Sequence, residues 1–331
     1  MGLQGRVLMV TSLYLMPTSE CNCVCDYCYC PEGGGRGGDP ALFRKIAESF
    51  TRHALDSEFP ARPQIRFTGG EPWLADEILL DVAGLFLGQV HDGWIVINSN
   101  ATILPAERLR DFNGEKRLIH VISLDGPESV HDSRRKMSDG RGSFNEVIKS
   151  IKILMDMNLP VYLNAVLDTG TSEKLPELMR FISSEFGIKE LSVSLLYVDY
   201  DPMSPETRYN LLKNAYTAAS KNSIRIGGHH RLLLGPWIPE LRCNAGISTA
   251  LIDPEGMVFA CQRFVGRVKS DRMWTEDFDW NGFSSGQRCD PVCGGEADLY
   301  VGKRLFELYG KEYPEYLHCN ELDRILFGVL S

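Results

Sequence analysis

The chain has 331 residues, 44% hydrophobic and 24% charged, an ordinary balance for a soluble globular fold with one large core and a smaller appended domain. Its formal net charge of -9 leaves no surplus of Lys and Arg to neutralise a phosphate backbone, which argues against a nucleic-acid partner. No apolar run approaches the ~20 residues of a membrane helix, and the stretch through Met16 lacks the basic start and cleavage site of a signal peptide, so no membrane partner and a cytoplasmic location are expected.

Along the chain, β-rich apolar runs recur at 7–15, 64–67, 94–97, 118–124, 161–166 and 191–196. Helical spacing lies between them. Leu42, Phe43, Ile46, Ala47 and Phe50 follow a 3.6 period, as do Leu74, Ile78, Leu79, Val82, Leu85 and Phe86. Phe144, Val147, Ile148, Ile151, Leu154 and Met155 form a third set, with Ser143 and Glu146 spaced as a capping box at its start. Leu175, Leu178, Met179 and Ile182 form a fourth. Six strand–helix units predict an α/β fold: parallel strands with right-handed crossovers, closing into a partial (β/α)6 TIM-like barrel rather than a full eight-fold one. Chemistry in such folds sits at the carboxyl ends of the strands.

Beyond about residue 236 helical periodicity fades and Gly and Cys become common. Asp253-Pro254-Glu255-Gly256 reads as a hairpin turn between 250–252 and 257–259. The expected division is a barrel domain over 1–235 and a C-terminal cysteine-rich domain over 236–331, with 221–239 as linker.

Ten cysteines fall into two groups, five between Cys21 and Cys30 and five at Cys243, Cys261, Cys289, Cys293 and Cys319. A disulfide scaffold spreads its staples through a small secreted domain. Two thiol clusters in a chain of this kind read as two metal sites. In the first, Cys21, Cys25 and Cys28 make C-x3-C-x2-C. Three thiolates on a four-iron cluster leave one iron open to a cofactor or substrate. A structural zinc site is the alternative, although zinc takes four ligands and no second knuckle lies nearby. Cys23 and Cys30 are spare thiols on this reading. Gly33, Gly35 and Gly38 spell G-x-G-x-x-G but follow the cysteines rather than a strand, so a flexible loop over the site is expected instead of a dinucleotide fingerprint.

Four motifs fall at successive expected strand ends: the cysteine cluster, Gly69-Gly70-Glu71-Pro72, Asn98-Ser99-Asn100 and Ser123-Leu124-Asp125-Gly126. C-x3-C-x2-C with Tyr27 before its last Cys resembles the signature of the radical S-adenosylmethionine (SAM) superfamily, and Gly69-Gly70-Glu71-Pro72 resembles that family's second motif. The stretch from Ser123 through Asp125, His131-Asp132 and Arg135 to Gly142-Ser143-Phe144 resembles the branch of anaerobic sulfatase maturases and peptide (RiPP) maturases. The likeness runs over nearly the whole chain.

The resemblance implies a catalytic 4Fe–4S cluster on Cys21, Cys25 and Cys28, with SAM beside it. Tyr27 is implied to contact adenine through its backbone, Gly69, Gly70 and Glu71 to face the methionine amine, and Ser123 and Arg135 to hold ribose and carboxylate. Asn98 and Asn100 are further pocket candidates, and Leu196 is implied to pack on adenine. Taken singly, Glu71 reads as a surface carboxylate and Ser123 as a strand end. One of Arg134 and Arg135 is expected to be only solvated, and His131-Asp132 to serve the loop's structure rather than a catalytic dyad.

The second cysteine group resembles the opening of SPASM and twitch extensions, which implies one auxiliary 4Fe–4S cluster on Cys243, Cys261 and Cys293 with Cys289 or Cys319 as fourth ligand. A zinc knot is the alternative. The fifth thiol is spare or functional, with Cys319 as the candidate reactive one. Where the sulfatase maturases carry an Asp base after the Cys matching Cys261, this chain has Gln262, which argues against that reaction and leaves the catalytic base unassigned.

The expected function is reductive SAM cleavage to a 5′-deoxyadenosyl radical that modifies a peptide or protein by crosslinking, thioether formation, epimerisation or oxidation, with flavodoxin or ferredoxin as electron donor. Cys21 lies so near Met1 that no N-terminal leader-binding domain is expected, so a separate leader-recognition protein or a short motif would be needed. The alternatives are a twitch-type sugar or cyclitol alcohol dehydrogenase, and a non-catalytic zinc or Fe–S module.

Overall fold

The computed structural model describes residues 9–28, 30, 35–57, 62–196, 203–228, 246, 248–267 and 269–283. In chain order these form β1 (Ser12–Leu15), β2 (Cys23–Cys25), α1 (Pro40–Asp56), β3 (Gln64–Phe67), a 3-10 turn (Pro72–Ala75), α2 (Asp76–Gln89), β4 (Trp94–Ser99) and α3 (Ala106–Leu109). Then follow β5 (Leu118–Ser123), α4 (Glu128–Arg134), β6 (Arg135–Met137), α5 (Phe144–Asp156), β7 (Val161–Leu167), α6 (Thr169–Ser172), α7 (Leu175–Phe186) and β8 (Glu190–Leu195). The described part ends with α8 (Pro205–Asn222), β9 (Arg225–Gly227), β10 (Thr249–Ile252) and β11 (Val258–Phe259).

Among the described residues one nine-stranded sheet has the order β11-β10-β1-β3-β4-β5-β7-β8-β9, and every pairing is parallel except β10 with β11. The six expected strands lie side by side in chain order. That order winds the crossovers one way and, among the described residues, does not join β9 to β11, which is the open, incomplete barrel the sequence predicts. No described helix is long and apolar enough to cross a membrane.

Strand alternation separates two environments. Leu13, Leu15, Ile65, Phe67, Ile95, Ile97, Leu163, Ala165, Leu191 and Val193 face the helices and form the main core with Phe43, Phe50, Phe86, Val147 and Ile182. The opposite face carries a small apolar cluster of Val96, Ile119 and Val121, together with Arg66, Asn98, Ser123 and Asn164. This inner face is the polar one.

Local signals place most elements. Asp39 caps α1 by accepting from Ala41 N–H at 2.9 Å, and Pro40 opens the helix. Ser204 caps α8, a helix the apolar periodicity does not reveal. The second helix starts at Asp76, because Leu74 belongs to the 3-10 turn and is exposed. The capping box expected of Ser143 and Glu146 does not form. Asp132 caps α5 instead, accepting from the Ser143 and Phe144 N–H groups at 2.8 Å each. Ser143 is drawn inward to the Arg135 carbonyl and the His131 ring.

The segment expected as linker begins with the end of α8 and with β9, which pairs with β8. β9 is three residues long with Ile226 between Arg225 and Gly227, too short for a period. The expected hairpin is present: β10 and β11 pair across a turn in which Gly256 has φ +86° and the Asp253 carboxylate accepts from Glu255 and Met257 N–H. β10 also lies parallel to β1, so the barrel sheet continues past residue 235.

Candidate active site

The cysteine loop leaves the carboxyl end of β1, and two backbone fastenings fix it there. Thr18 O accepts from Gly70 N–H at 3.1 Å, and Glu20 O accepts from Glu71 N–H at 2.8 Å. Contact this close requires glycine. Gly69 has φ +127°, and a Cβ on Gly70 would lie 1.9 Å from Glu20 O. The glycine pair therefore holds the segment before Cys21 against the end of β3. Residues 35–38, in the expected glycine loop, are held against 17–19 by backbone bonds from Ser19 to Arg36 and from Gly38 to Pro17, and Arg36 pairs with Glu255. Residues 31–34 lie outside the described part.

β2 and β6 form a two-stranded antiparallel sheet that sets Cys25 opposite Arg135. Cys21 and Cys28 are exposed, Cys25 and Cys30 half-buried and Cys23 buried, and all five are free thiols. The Cys21 thiol is held below its usual range, first by a hydrogen bond with the Cys23 thiol, against burial, with help from Cys23 N–H and the Asn100 carboxamide. Burial pushes Cys25 up to about 11, and the Arg135 charge offsets only part of this.

Two buried carboxylates stand behind the loop. Glu71 is fully buried, contrary to a surface reading, and its oxygens accept from Ser99 Oγ (2.7 Å), Asn100 N (2.7 Å) and Trp73 N (3.1 Å). Burial raises it to about 7, and these donors hold it from rising further. Its carboxylate is thus turned into the protein. It aligns the end of β4, from which Asn100 Nδ2 reaches Cys21 Sγ at 3.6 Å and Asn22 Oδ1 at 3.0 Å. Asn98 donates to Phe67 O at 3.1 Å and ties β4 to β3.

Asp125 is the second. It binds Arg135 Nε at 2.8 Å and Nη2 at 3.4 Å, and accepts from Val166 N–H at 2.9 Å and from the Tyr27 hydroxyl. Burial opposes its ionisation, but Arg135 above all keeps the carboxyl below its usual range. Arg135 Nη1 lies 3.9 Å from Cys25 Sγ. Arg134 is no solvated bystander. It is 8% exposed, bonded to Asp168 at 3.0 Å, and its guanidinium lies 4.3 Å from the Tyr27 ring centre, opposite in role to the expectation that one arginine is only solvated. His131 and Asp132 serve structure as expected, His131 buried against Ser143 and Asp132 capping α5.

Ser123 stands half-buried at the end of β5, in register with Asn164, whose Oδ1 accepts from Ser194 Oγ at 3.0 Å. Leu196 follows β8, half-buried. Sequence reasoning passed over Asn164, Ser194 and Thr68. The signal was a polar residue at an inward position of an apolar strand for Asn164 and Ser194, and directly after β3 for Thr68. Cys261 and Gln262 follow β11, and Thr68 Oγ1 donates to Gln262 Oε1 at 2.7 Å, which brings the C-terminal segment to the end of β3. Cys243, Cys289, Cys293 and Cys319 lie outside the described residues.

By its ligand chemistry the donor set suits a cubane cluster with an open iron. It offers three thiols on one loop, with N–H donors at the Cys21 and Cys25 sulfurs, beside backbone and hydroxyl groups at neighbouring strand ends.

The family model of the radical SAM superfamily matches residues 15–182, a little over half of the chain. The probable GTP 3',8-cyclase of Pyrococcus horikoshii is 28% identical over 186 residues, 55% of this chain and 55% of that protein. The cysteine-type anaerobic sulfatase-maturating enzyme of Clostridium perfringens is 24% identical over 222 residues, 64% of this chain and 58% of that protein. The chain thus spans about half the length of the curated relatives it matches. In fold it resembles the solved structure of native anSMEcpe with bound AdoMet and Kp18Cys peptide, with TM-score 0.67 and 17% identity over 92% of this chain and 98% of that one. Family members use a 4Fe–4S cluster and SAM. With its cysteine motif at the end of β1 and its Gly-Gly-Glu motif at the end of β3, the chain belongs to the radical SAM superfamily.

Proposed function

We propose that this protein is a radical SAM enzyme that modifies a peptide or protein. The observation that carries the reading is the fastening of the segment leading into Cys21, through the Thr18 and Glu20 carbonyls, to Gly70 and Glu71 N–H at the end of β3. Cys21, Cys25 and Cys28 hold the cluster, with Ser123, Asn164 and the backbone of Tyr27, Gly69 and Gly70 lining the SAM side. Because the Glu71 carboxylate is spent on three protein donors, the methionine amine falls to backbone carbonyls there. Arg135 keeps one edge on Asp125, and Leu196 supplies apolar contact for adenine. When bound, the cluster and SAM supply a one-electron cleavage that yields a 5′-deoxyadenosyl radical.

The peptide assignment draws support from the likeness to anSMEcpe across nearly the whole of both chains. Gln262 bears no acid–base function at pH 7, so a proton lost from substrate passes to another group or to solvent. An auxiliary 4Fe–4S cluster on Cys243, Cys261 and Cys293, with Cys289 or Cys319, belongs to the same proposal. Gln262 on Thr68 would carry that cluster's Cys261 to the barrel mouth. A flavodoxin or ferredoxin supplies the electron.

The test uses full-length protein reconstituted anaerobically with iron and sulfide, then given SAM, dithionite and peptides encoded beside its gene. The expected result is 5′-deoxyadenosine together with a peptide of altered mass, both lost in Cys21→Ala, Cys25→Ala and Cys28→Ala. Product from GTP or from a small sugar alcohol, with every peptide unchanged, would overturn the peptide reading. Bound zinc with no 5′-deoxyadenosine would overturn the enzyme reading.

A further inference from the structure

Arg135 divides its guanidinium between two partners. Nε and Nη2 face the Asp125 carboxylate, while Nη1 faces Cys25 Sγ at 3.9 Å. The register of β2 with β6 fixes this division, since Cys25 and Arg135 are paired residues. Both members are sealed from water, Arg135 at 8% exposure and Asp125 at 0%. Tyr27 O–H and Val166 N–H are further donors to Asp125 and hold its carboxylate in place beside Arg135. The neighbouring Arg134 is engaged with Asp168 and Asp26. At the Cys21 sulfur the donors are neutral: the Cys23 thiol and N–H and the Asn100 carboxamide. The thiolates therefore meet unlike surroundings, one beside a buried cation and one beside neutral donors.

A 4Fe–4S cluster gains a negative charge on reduction. Hydrogen bonds and positive charge at its sulfurs favour the reduced form, and a nearby carboxylate favours the oxidised form. We propose that the Arg135–Asp125 pair sets the reduction potential of the cluster held by Cys25, Arg135 raising it through its charge and its N–H at sulfur, and Asp125 lowering it by offsetting that charge. This rests on the reading of Cys21, Cys25 and Cys28 as cluster ligands. Both residues are positioning residues.

The test is an EPR-monitored redox titration of the full-length reconstituted protein without SAM. The spectrum of a Cys21→Ala, Cys25→Ala, Cys28→Ala variant is subtracted to remove any other cluster, and iron and sulfide are counted for each sample. Arg135→Met is expected to lower the reduced-to-oxidised ratio at fixed potential about tenfold, which is about 59 mV for a one-electron couple. Asp125→Asn is expected to shift the midpoint the opposite way. Arg134→Met, which removes an equally buried charge with no sulfur contact, should move it far less. Opposite shifts at wild-type iron content are a signature that general loosening of the site does not give. Unmoved midpoints, or shifts of one sign, overturn the proposal. Loss of the cluster from Arg135→Met, Arg135→Lys and Asp125→Asn alike shows a scaffolding role only and also overturns it. Absence of a subtractable cluster signal in the unmodified protein overturns both this proposal and the ligand reading beneath it.

Discussion

Gly70 shows how one residue type is demanded by its surroundings. Its place against Glu20 O leaves no space for a methyl group, and the obstructing atoms belong to backbone that leads into Cys21. Gly70→Ala is expected to push that segment off the end of β3 and abolish assembly of the cluster on Cys21, Cys25 and Cys28, read as iron per chain falling to that of the Cys21→Ala, Cys25→Ala, Cys28→Ala variant, while far-UV circular dichroism stays near wild type. His120 is the contrary case, a buried polar side chain with no use in the site. It stacks on Trp73, and burial, opposed by the nearby Pro160 backbone, lowers it to about 4. Between that value and the ordinary 6.5 the unfolded chain binds a proton that the folded one refuses. Stability is therefore full above pH 6.5 and declines as pH falls toward 4, by up to about 3 kcal/mol for this group. Urea unfolding of His120→Leu from pH 7.5 to 4.5 should show a shallower decline with little loss at neutral pH. A slope equal to wild type would refute that account.

At the scale of elements, α5 teaches that a cap need not come from the adjacent sequence. Ser143 and Glu146 had the right spacing, but Ser143 is committed to His131 and Arg135 O, and Asp132 comes from α4 to take both N–H groups. Asp132→Ala is expected to cost about 1–2 kcal/mol in denaturant unfolding, Asp132→Asn to recover most of this, and Glu146→Ala to change almost nothing. A cost at Glu146 equal to that at Asp132 would restore the capping box. The same difference between spacing and partner explains why Arg134 and Arg135 were inseparable in the sequence. Only their placement on α4 and β6 gives one to Asp168 and the other to Asp125 and Cys25.

For the whole molecule, the seam between β1 and β10 matters most. Leu251, Phe259 and Phe264 pack with Tyr14 on the inner face, while Trp280 lies buried against Phe50 and donates to Ser49 Oγ at 3.0 Å. Residues beyond 235 thus complete the barrel's core on both sides of the sheet. Trp280→Ala is expected to cost about 3–5 kcal/mol. A chain cut at residue 235 is expected to aggregate or to bind hydrophobic dyes, because β1 would become an exposed edge. A soluble, cooperatively unfolding fragment 1–235 would show the division at that point to be one of folding as well as of composition.

By itself the sequence determined the α/β class, six of the parallel strands, the cysteine loop and the motifs at the strand ends. These are encoded locally, in alternation, in helical period and in residue types that few structures require. Only the tertiary structure decided the turning of Glu71 into the protein, the partners of Arg134 and Arg135, the cap on α5, the joining of β10 to β1 and the meeting of Gln262 with Thr68. Each of these depends on groups distant in sequence satisfying one another out of water. Residue spacing carries no record of which buried donor will find which acceptor.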